Sequence, residues 1–291
     1  MNYLLQHSFT DIAKKMGEKT ALIIDRNYFS YQTIYEDVLK FSDYLKSHQV
    51  KKGDRVWIQS GNSYLTIIAF WGAFFCDAIA CPIDPSTPEN IHAQLVASLK
   101  PKIMITLDRH ESILDHLKKS AVSVQNFTFQ NTEQDLAMIM HTSGSTGVPK
   151  GVMLSHRNVL SAVESIRTYL TLQNSDVILC ALPMHFDYGL YQMLLAFTLG
   201  ATLILEENAV FPHIIAHHIQ KHSVTIVPCV PAMAQMFYVC QNQFKCDFST
   251  VRIVTNTGEN LSKGQIEKLK IIFLEPVARK RGLKAPHCST V

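Results

Sequence analysis

Apolar residues recur every three to four positions over 4–16 and again over 34–45, the spacing that lines one face of an α-helix, so both segments predict amphipathic helices. Short β-branched or apolar runs at 21–24, 56–59 and 102–106 predict buried strands. The run over 64–76 is apolar all round and is followed at once by Asp77; it is too short to cross a bilayer and predicts a buried helix. Farther along, helical spacing at 157–170, 190–199 and 213–222 alternates with strand-like runs at 177–182, 202–205, 225–228 and 252–255. Such alternation predicts an α/β fold of open, mostly parallel sheets with helices on both faces. Ligands of such sheets sit at the carboxyl ends of the strands. Three stretches leave predicted strands, at 142–151, 182–189 and 256–260, and could converge on one cleft. Up to residue 273 there is neither a fixed-period repeat nor a low-complexity linker, so this part reads as one large structural unit.

Composition narrows the class. With 291 residues, 47% hydrophobic and 18% charged, the chain has the make-up of a soluble globular protein with a large core. Its net charge of +3 is small and dispersed, which argues against nucleic acid and against an anionic membrane surface as partners. The Arg279-Lys280-Arg281 cluster reads as a solvated tail. Seven scattered cysteines lack the spacing of zinc or redox motifs, and no basic segment leads into an apolar signal core at the start. Reduced thiols, a cytoplasmic location and no membrane span are the expectation.

The densest chemistry lies in His141-Thr142-Ser143-Gly144-Ser145-Thr146-Gly147-Val148-Pro149-Lys150-Gly151. Gly144 and Gly147 allow the backbone close to a ligand; Thr142, Ser143, Ser145 and Thr146 add hydroxyls, and Lys150 adds a fixed positive charge. Together they predict a cradle for the phosphates of a nucleotide. It is not a P-loop, because Pro149 precedes Lys150 and Gly151 follows it. A plain surface loop is the alternative for any Gly-, Ser- and Pro-containing segment, but it has no use for this run of hydroxyls closing on Pro-Lys-Gly.

This string resembles the signature loop of the adenylate-forming (AMP-binding) superfamily, which includes acyl-CoA synthetases, luciferases and the adenylation domains of nonribosomal peptide synthetases. The resemblance runs from about residue 9 to 273 through Thr20-Ala21-Leu22-Ile23, Phe29-Ser30-Tyr31, Val50-Lys51-Lys52-Gly53-Asp54-Arg55-Val56, Asn62-Ser63, Ala80-Cys81-Pro82-Ile83-Asp84-Pro85, Leu182-Pro183-Met184 and Pro228-Cys229-Val230-Pro231. It implies a large N-terminal domain with two sheet-based subdomains. It also implies a two-step reaction in which a carboxylic acid attacks the α-phosphate of ATP·Mg2+ to give an acyl-adenylate, and a thiol, of CoA or of carrier-protein phosphopantetheine, then displaces AMP. An acyl-CoA synthetase-like acid ligase is the first reading, amino-acid adenylation for a carrier protein the second, and a non-catalytic nucleotide-binding fragment the third.

Under the same resemblance Thr142, Ser143, Gly144, Ser145, Thr146, Gly147 and Lys150 bind the ATP phosphates, and Thr257, Gly258 and Glu259 pack beside the adenine. Leu182-Pro183-Met184-His185-Phe186-Asp187-Tyr188-Gly189 looks like the acid-binding segment. His185 falls one residue before the place where many acyl-CoA synthetases carry a histidine, and Phe186-Asp187 resembles the Phe-Asp pair of amino-acid-activating domains, whose aspartate meets the substrate's α-ammonium group. Asp187 could equally stabilise a local turn. His213, His217, His218 and His222 fall on one predicted helix, where an ordinary helix surface is preferred to a zinc site. The likeness stops near residue 273: residues 274–291 lack the Tyr-Gly-x-Thr-Glu turn, and the small C-terminal domain with its lysine is not found. The expectation is an incomplete N-terminal domain over 1–273, an irregular tail, and a truncated or frameshifted ligase.

Overall fold

The computed structural model describes residues 4–24, 26–59, 61–122, 128–142, 150–207, 211–257 and 261–273. In chain order the strands are β1 (Thr20–Ile24), β2 (Asn27–Ser30), β3 (Arg55–Gln59), β4 (Ile79–Pro82), β5 (Ile103–Thr106), β6 (Leu136–Thr142), β7 (Lys150–Ser155), β8 (Val177–Cys180), β9 (Thr202–Leu205), β10 (Ile226–Cys229) and β11 (Ile253–Asn256). The helices are α1 (Leu5–Lys15), α2 (Tyr31–Ser47), α3 (Tyr64–Phe75), α4 (Glu89–Leu99), α5 (His110–Lys119), α6 (His156–Tyr169), α7 (Asp187–Leu199), α8 (Pro212–His222), α9 (Pro231–Phe244) and α10 (Lys263–Phe273).

The strands assort into two sheets, of order β11-β10-β8-β9-β1-β2 and β5-β3-β4-β6-β7. Among the described residues the neighbours are parallel except in the β1/β2 and β6/β7 hairpins, as the alternating pattern predicts. The first sheet takes strands from both ends of the described chain: Leu22 and Ile23 of β1 pair with Leu203 and Ile204 of β9. The second sheet uses the stretch between them. This interleaving is why no shift in composition marks a border between two units.

Helix α3 explains how the sheets are held. All its residues from Leu65 to Phe75 are buried, so it has no polar face and must be covered on every side. It packs on β3 and β4 and against α1 and α2, while α7 packs on β8, β9 and α1. The middle layer is aromatic: Phe9 of α1 stacks on Trp71 at 4.6 Å between ring centres, and the Trp71 and Phe197 rings stack at 5.9 Å. Tyr31 donates its buried hydroxyl proton towards the carbonyls of Ala196 and Ala201, 2.9 and 2.6 Å away, tying α2 to the turn between α7 and β9. At Gly72 a Cβ would lie 2.5 Å from the Phe41 ring, so glycine sets the approach of α2 to α3. Residues of both sheets share the resulting core, and a smaller cluster of Trp57, Ile79, Cys81, Ile83, Leu95 and Leu99 covers the other face of the second sheet.

A buried polar node at Asp176 completes the frame. The Asp176 carboxylate accepts from Gln173 N, Thr225 Oγ1 and Arg252 Nε at 2.7, 2.8 and 2.8 Å, joining the segments that lead into β8, β10 and β11. Burial alone would raise its pKa, but these bonds outweigh burial and hold the carboxyl below its ordinary value. Six described cysteines are buried thiols outside any disulfide, and burial pushes the Cys81 and Cys180 thiols up to about 12, which leaves them inert.

His156, fully buried at the start of α6, has Asn131 Nδ2 3.3 Å from its Nε2, and burial pushes its pKa down to about 4. Unfolded, the imidazole titrates at about 6.5, so the unfolded chain binds the proton more readily. The contribution of this residue is complete above about pH 6.5 and is lost as pH falls towards the folded pKa, at no more than about 1.4 kcal/mol per pH unit. Urea unfolding between pH 7.5 and 5 should therefore show a smaller loss of stability in His156→Gln than in the parent; equal losses would contradict this assignment.

Candidate functional site

The carboxyl ends of the two sheets meet around the segment that follows β8. Asn62, just past β3 in the second sheet, donates from Nδ2 to Leu182 O at 3.0 Å, and its Oδ1 accepts from Met184 N at 2.9 Å. Asp84, past β4, faces His185 with 3.5 Å between Oδ2 and Nε2. Tyr188 shares a 2.6 Å hydrogen bond between its hydroxyl and Thr255 Oγ1 in β11. Residues 182–188 are thus held at once by Asn62 and Asp84, past β3 and β4, and by Thr255 in β11, one residue before the 256–260 stretch.

Local chemistry shapes this segment. A Cβ at position 189 would collide with the carbonyl oxygens of Leu182 and Pro183, so Gly189 permits the tight entry into α7. The turn makes α7 begin at Asp187, three residues before the helix expected at 190–199. Asp187 occupies the first turn, where a negative charge complements the helix dipole, and its Oδ1 accepts from Tyr188 N at 2.7 Å. The carboxylate is exposed, and no ion pair to it occurs among the described residues. Phe186 is 51% exposed, with its ring 4.5 Å from that of His185.

Electrostatics keep the His185 and Asp84 pair in ordinary protonation states. Burial lowers the His185 pKa, and the Asp84 charge offsets this only in part. For Asp84 burial acts upward, but bonds from Ser86 N and Oγ at 2.8 and 2.7 Å, with the nearby His185, hold the carboxyl below its usual value. A carboxylate beside a neutral imidazole is the resulting state near neutral pH.

The hydroxyl- and glycine-rich loop leaves β6 and returns as β7, with Thr142 paired to Lys150 in antiparallel register. The two strands therefore form an antiparallel pair. Ser143, Gly144, Ser145, Thr146 and Gly147 lie outside the described residues. Lys150 is exposed at the base, and β6 lies beside β4, whose carboxyl end carries Asp84. Thr257 is exposed just past β11, while Gly258 and Glu259 lie outside the described residues. Asn62, Asp84 and Tyr188 were visible in the sequence only as members of strings; their partners are remote along the chain, which periodicity cannot reveal. On α8, His218 Nε2 lies 2.8 Å from Glu206 Oε2 and its ring stacks on that of His222, so the structure adds one carboxylate to the histidine group. No cluster of three or more His, Cys, Asp or Glu able to hold a metal occurs among the described residues.

The family model described as AMP-binding enzyme matches residues 9–279. The chain belongs to the AMP-binding enzyme family. Among curated relatives of this AMP-binding enzyme, vanchrobactin synthetase VabF of Vibrio anguillarum is 28% identical over 236 residues, covering 77% of this chain and 8% of that protein. Tyrocidine synthase 3 of Brevibacillus parabrevis is 27% identical over 283 residues, covering 92% of this chain and 4% of that protein. The chain thus spans a small part of the length of these relatives. Among solved structures, VinN in complex with L-aspartate superposes with a TM-score of 0.82 at 22% identity, over 94% of this chain and 73% of that one. The two-sheet architecture is that of adenylate-forming N-terminal domains, such as that of FACL13 from Mycobacterium tuberculosis. No described helix is long and apolar enough to cross a membrane.

The Tyr188 to Thr255 bond couples the segment to β11. Tyr188→Phe should lower unfolding stability by about 0.5–1.5 kcal/mol, read as a shift in urea midpoint at unchanged slope. An unchanged midpoint would show that the bond contributes nothing.

Proposed function

We propose that this AMP-binding enzyme activates an amino acid with ATP·Mg2+ to an aminoacyl-adenylate, which is then passed to the phosphopantetheine thiol of a carrier protein. In the first step a substrate carboxylate oxygen bonds to the α-phosphorus and the bond to the β,γ-phosphates breaks, releasing pyrophosphate; in the second the thiol sulfur bonds to the acyl carbon and AMP leaves. The chain's part is to align the carboxylate and offset charge on the phosphates. Thr142, Ser143, Gly144, Ser145, Thr146, Gly147 and Lys150 hold the phosphates in this reading; Thr257, Gly258 and Glu259 flank the adenine, and 185–187 receives the acid. Residues 1–273 form the large N-terminal part of the catalytic unit.

The observation that carries the amino-acid reading is Asp187, an exposed carboxylate fixed on its own helix start and facing no described cation. Solvent and the helix start satisfy this carboxylate in the free chain, and an α-ammonium group entering here would pair with it. Support comes also from the similarity to vanchrobactin synthetase and tyrocidine synthase 3, and from VinN, a neighbour in fold whose structure holds L-aspartate. Activation of a fatty or aryl acid for CoA, the first reading of the sequence, leaves Asp187 unmatched. Nucleotide binding without acid selection is the third reading.

Calorimetry separates them. MgATP should bind the parent, and Lys150→Ala should weaken it about 10-fold or more, the scale of one charged hydrogen bond. Sulfamoyl-adenosines carrying an amino acid should bind more tightly than AMP and lose that advantage in Asp187→Ala. A preference for acyl or aryl sulfamoyl-adenosines that survives Asp187→Ala supports the CoA-ligase reading instead; no analogue tighter than AMP leaves nucleotide binding alone.

A further inference from the structure

We infer that Asn62 is a positioning residue for the acid, a clasp by which the second sheet fixes the substrate-binding segment of the first. The inference rests on the reading that 185–187 receives the acid. Asn62 is 9% exposed and bridges to residues more than a hundred positions away: Leu182 O at 3.0 Å, Met184 N at 2.9 Å and, more weakly, Glu206 O at 3.5 Å. The segment it holds has already left β8, which ends at Cys180, so its peptide groups lack a strand neighbour. The carboxamide supplies what a strand would, one donor and one acceptor on adjacent atoms.

The clasp has a rigid foundation. Asn62 stands immediately before α3, whose cap residue Ser63 accepts from Thr66 N at 3.2 Å, while Thr66 Oγ1 donates to Gly61 O at 2.6 Å. These bonds fix the backbone on both sides of Asn62, and α3 is buried from Leu65 to Phe75. On the other side, the held residues Leu182 and Met184 lead directly into His185, Phe186 and Asp187. The path from the buried helix to the Asp187 carboxylate is therefore short and made of directional bonds. Replacing the side chain leaves Met184 N without its partner and Leu182 O with only the weak Cys180 thiol contact at 3.6 Å, and releases the position of 185–187, whereas the phosphate side of the site is reached through β6 and β7 and the adenine side through β11. Asn62 bonds directly to the stretch that leads into 185–187 and to neither nucleotide-side stretch, so it acts chiefly on the affinity for the acid.

The test uses the parent chain and two probes, AMP and the tightest member of a sulfamoyl-adenosine panel carrying alanine, leucine, aspartate, anthranilate and octanoate. Asn62→Ala should weaken the acyl-adenylate analogue at least 10-fold and change AMP affinity less than threefold. Tyr31→Phe, which removes buried hydrogen bonds far from this segment, serves as the control for lost stability and should change neither. Amide exchange at Met184 should quicken in Asn62→Ala while that of Val56 stays protected. Should Asn62→Ala fail to fold, Asn62→Asp keeps the acceptor for Met184 but loses the donor for Leu182, and the same two affinities decide. Equal weakening of both probes, or of neither, overturns the clasp. A parent chain that binds no nucleotide or analogue instead overturns the functional reading on which the clasp rests.

Discussion

A helix with no polar face forces the architecture. Because every residue of α3 after Tyr64 is buried, the chain must supply apolar cover all around it, and a single sheet covers one side only. The second layer of cover comes from α1, α2 and α7, and these carry a sheet of their own. Phe9, Trp71 and Phe197 fill the space between at stacking distance, so the two sheets are joined through one packed aromatic layer and not merely linked along the chain. The polar nodes at Tyr31 and Asp176 then give partners to the carbonyls of Ala196 and Ala201 and to Gln173 N and Arg252 Nε.

The site follows from the same constraint. Parallel strands point their carboxyl ends one way, and sandwiching two such sheets over common helices brings the loops of one against those of the other. Asn62 and Asp84 reach across to the Leu182–His185 stretch for this reason, and Tyr188 closes the third side on Thr255. Asn62, Asp84 and Tyr188 are thus brought together from segments that belong to different sheets.

Much of this fold is legible in the sequence. The strands at 21–24, 56–59 and 202–205 and the helices at 34–45 and 64–76 stand where apolar spacing puts them, because deep burial writes a strong periodic signal. Strand β7 leaves no such trace, since its first four residues are exposed, and α4 and α5 bury only two residues each. The start of α7 at Asp187 escapes periodicity because it depends on a glycine whose need comes from carbonyls six and seven residues back. Site residues are legible as strings, yet the bonds of Asn62, Asp84 and Tyr188 join positions remote in sequence, and only the fold states them.

The interleaving of β1 into the first sheet bears on how the chain comes into being. Leu22 waits for Leu203, so the N-terminal hairpin emerges from the ribosome long before the strand that flanks it. At ordinary translation rates the interval is roughly ten to forty seconds, during which one edge of β1 and the apolar side of α1 lack their final partners. Contacts of such long sequence separation form slowly. For this protein the hazard of wrong pairing is greatest during synthesis, and it ends when β9 arrives.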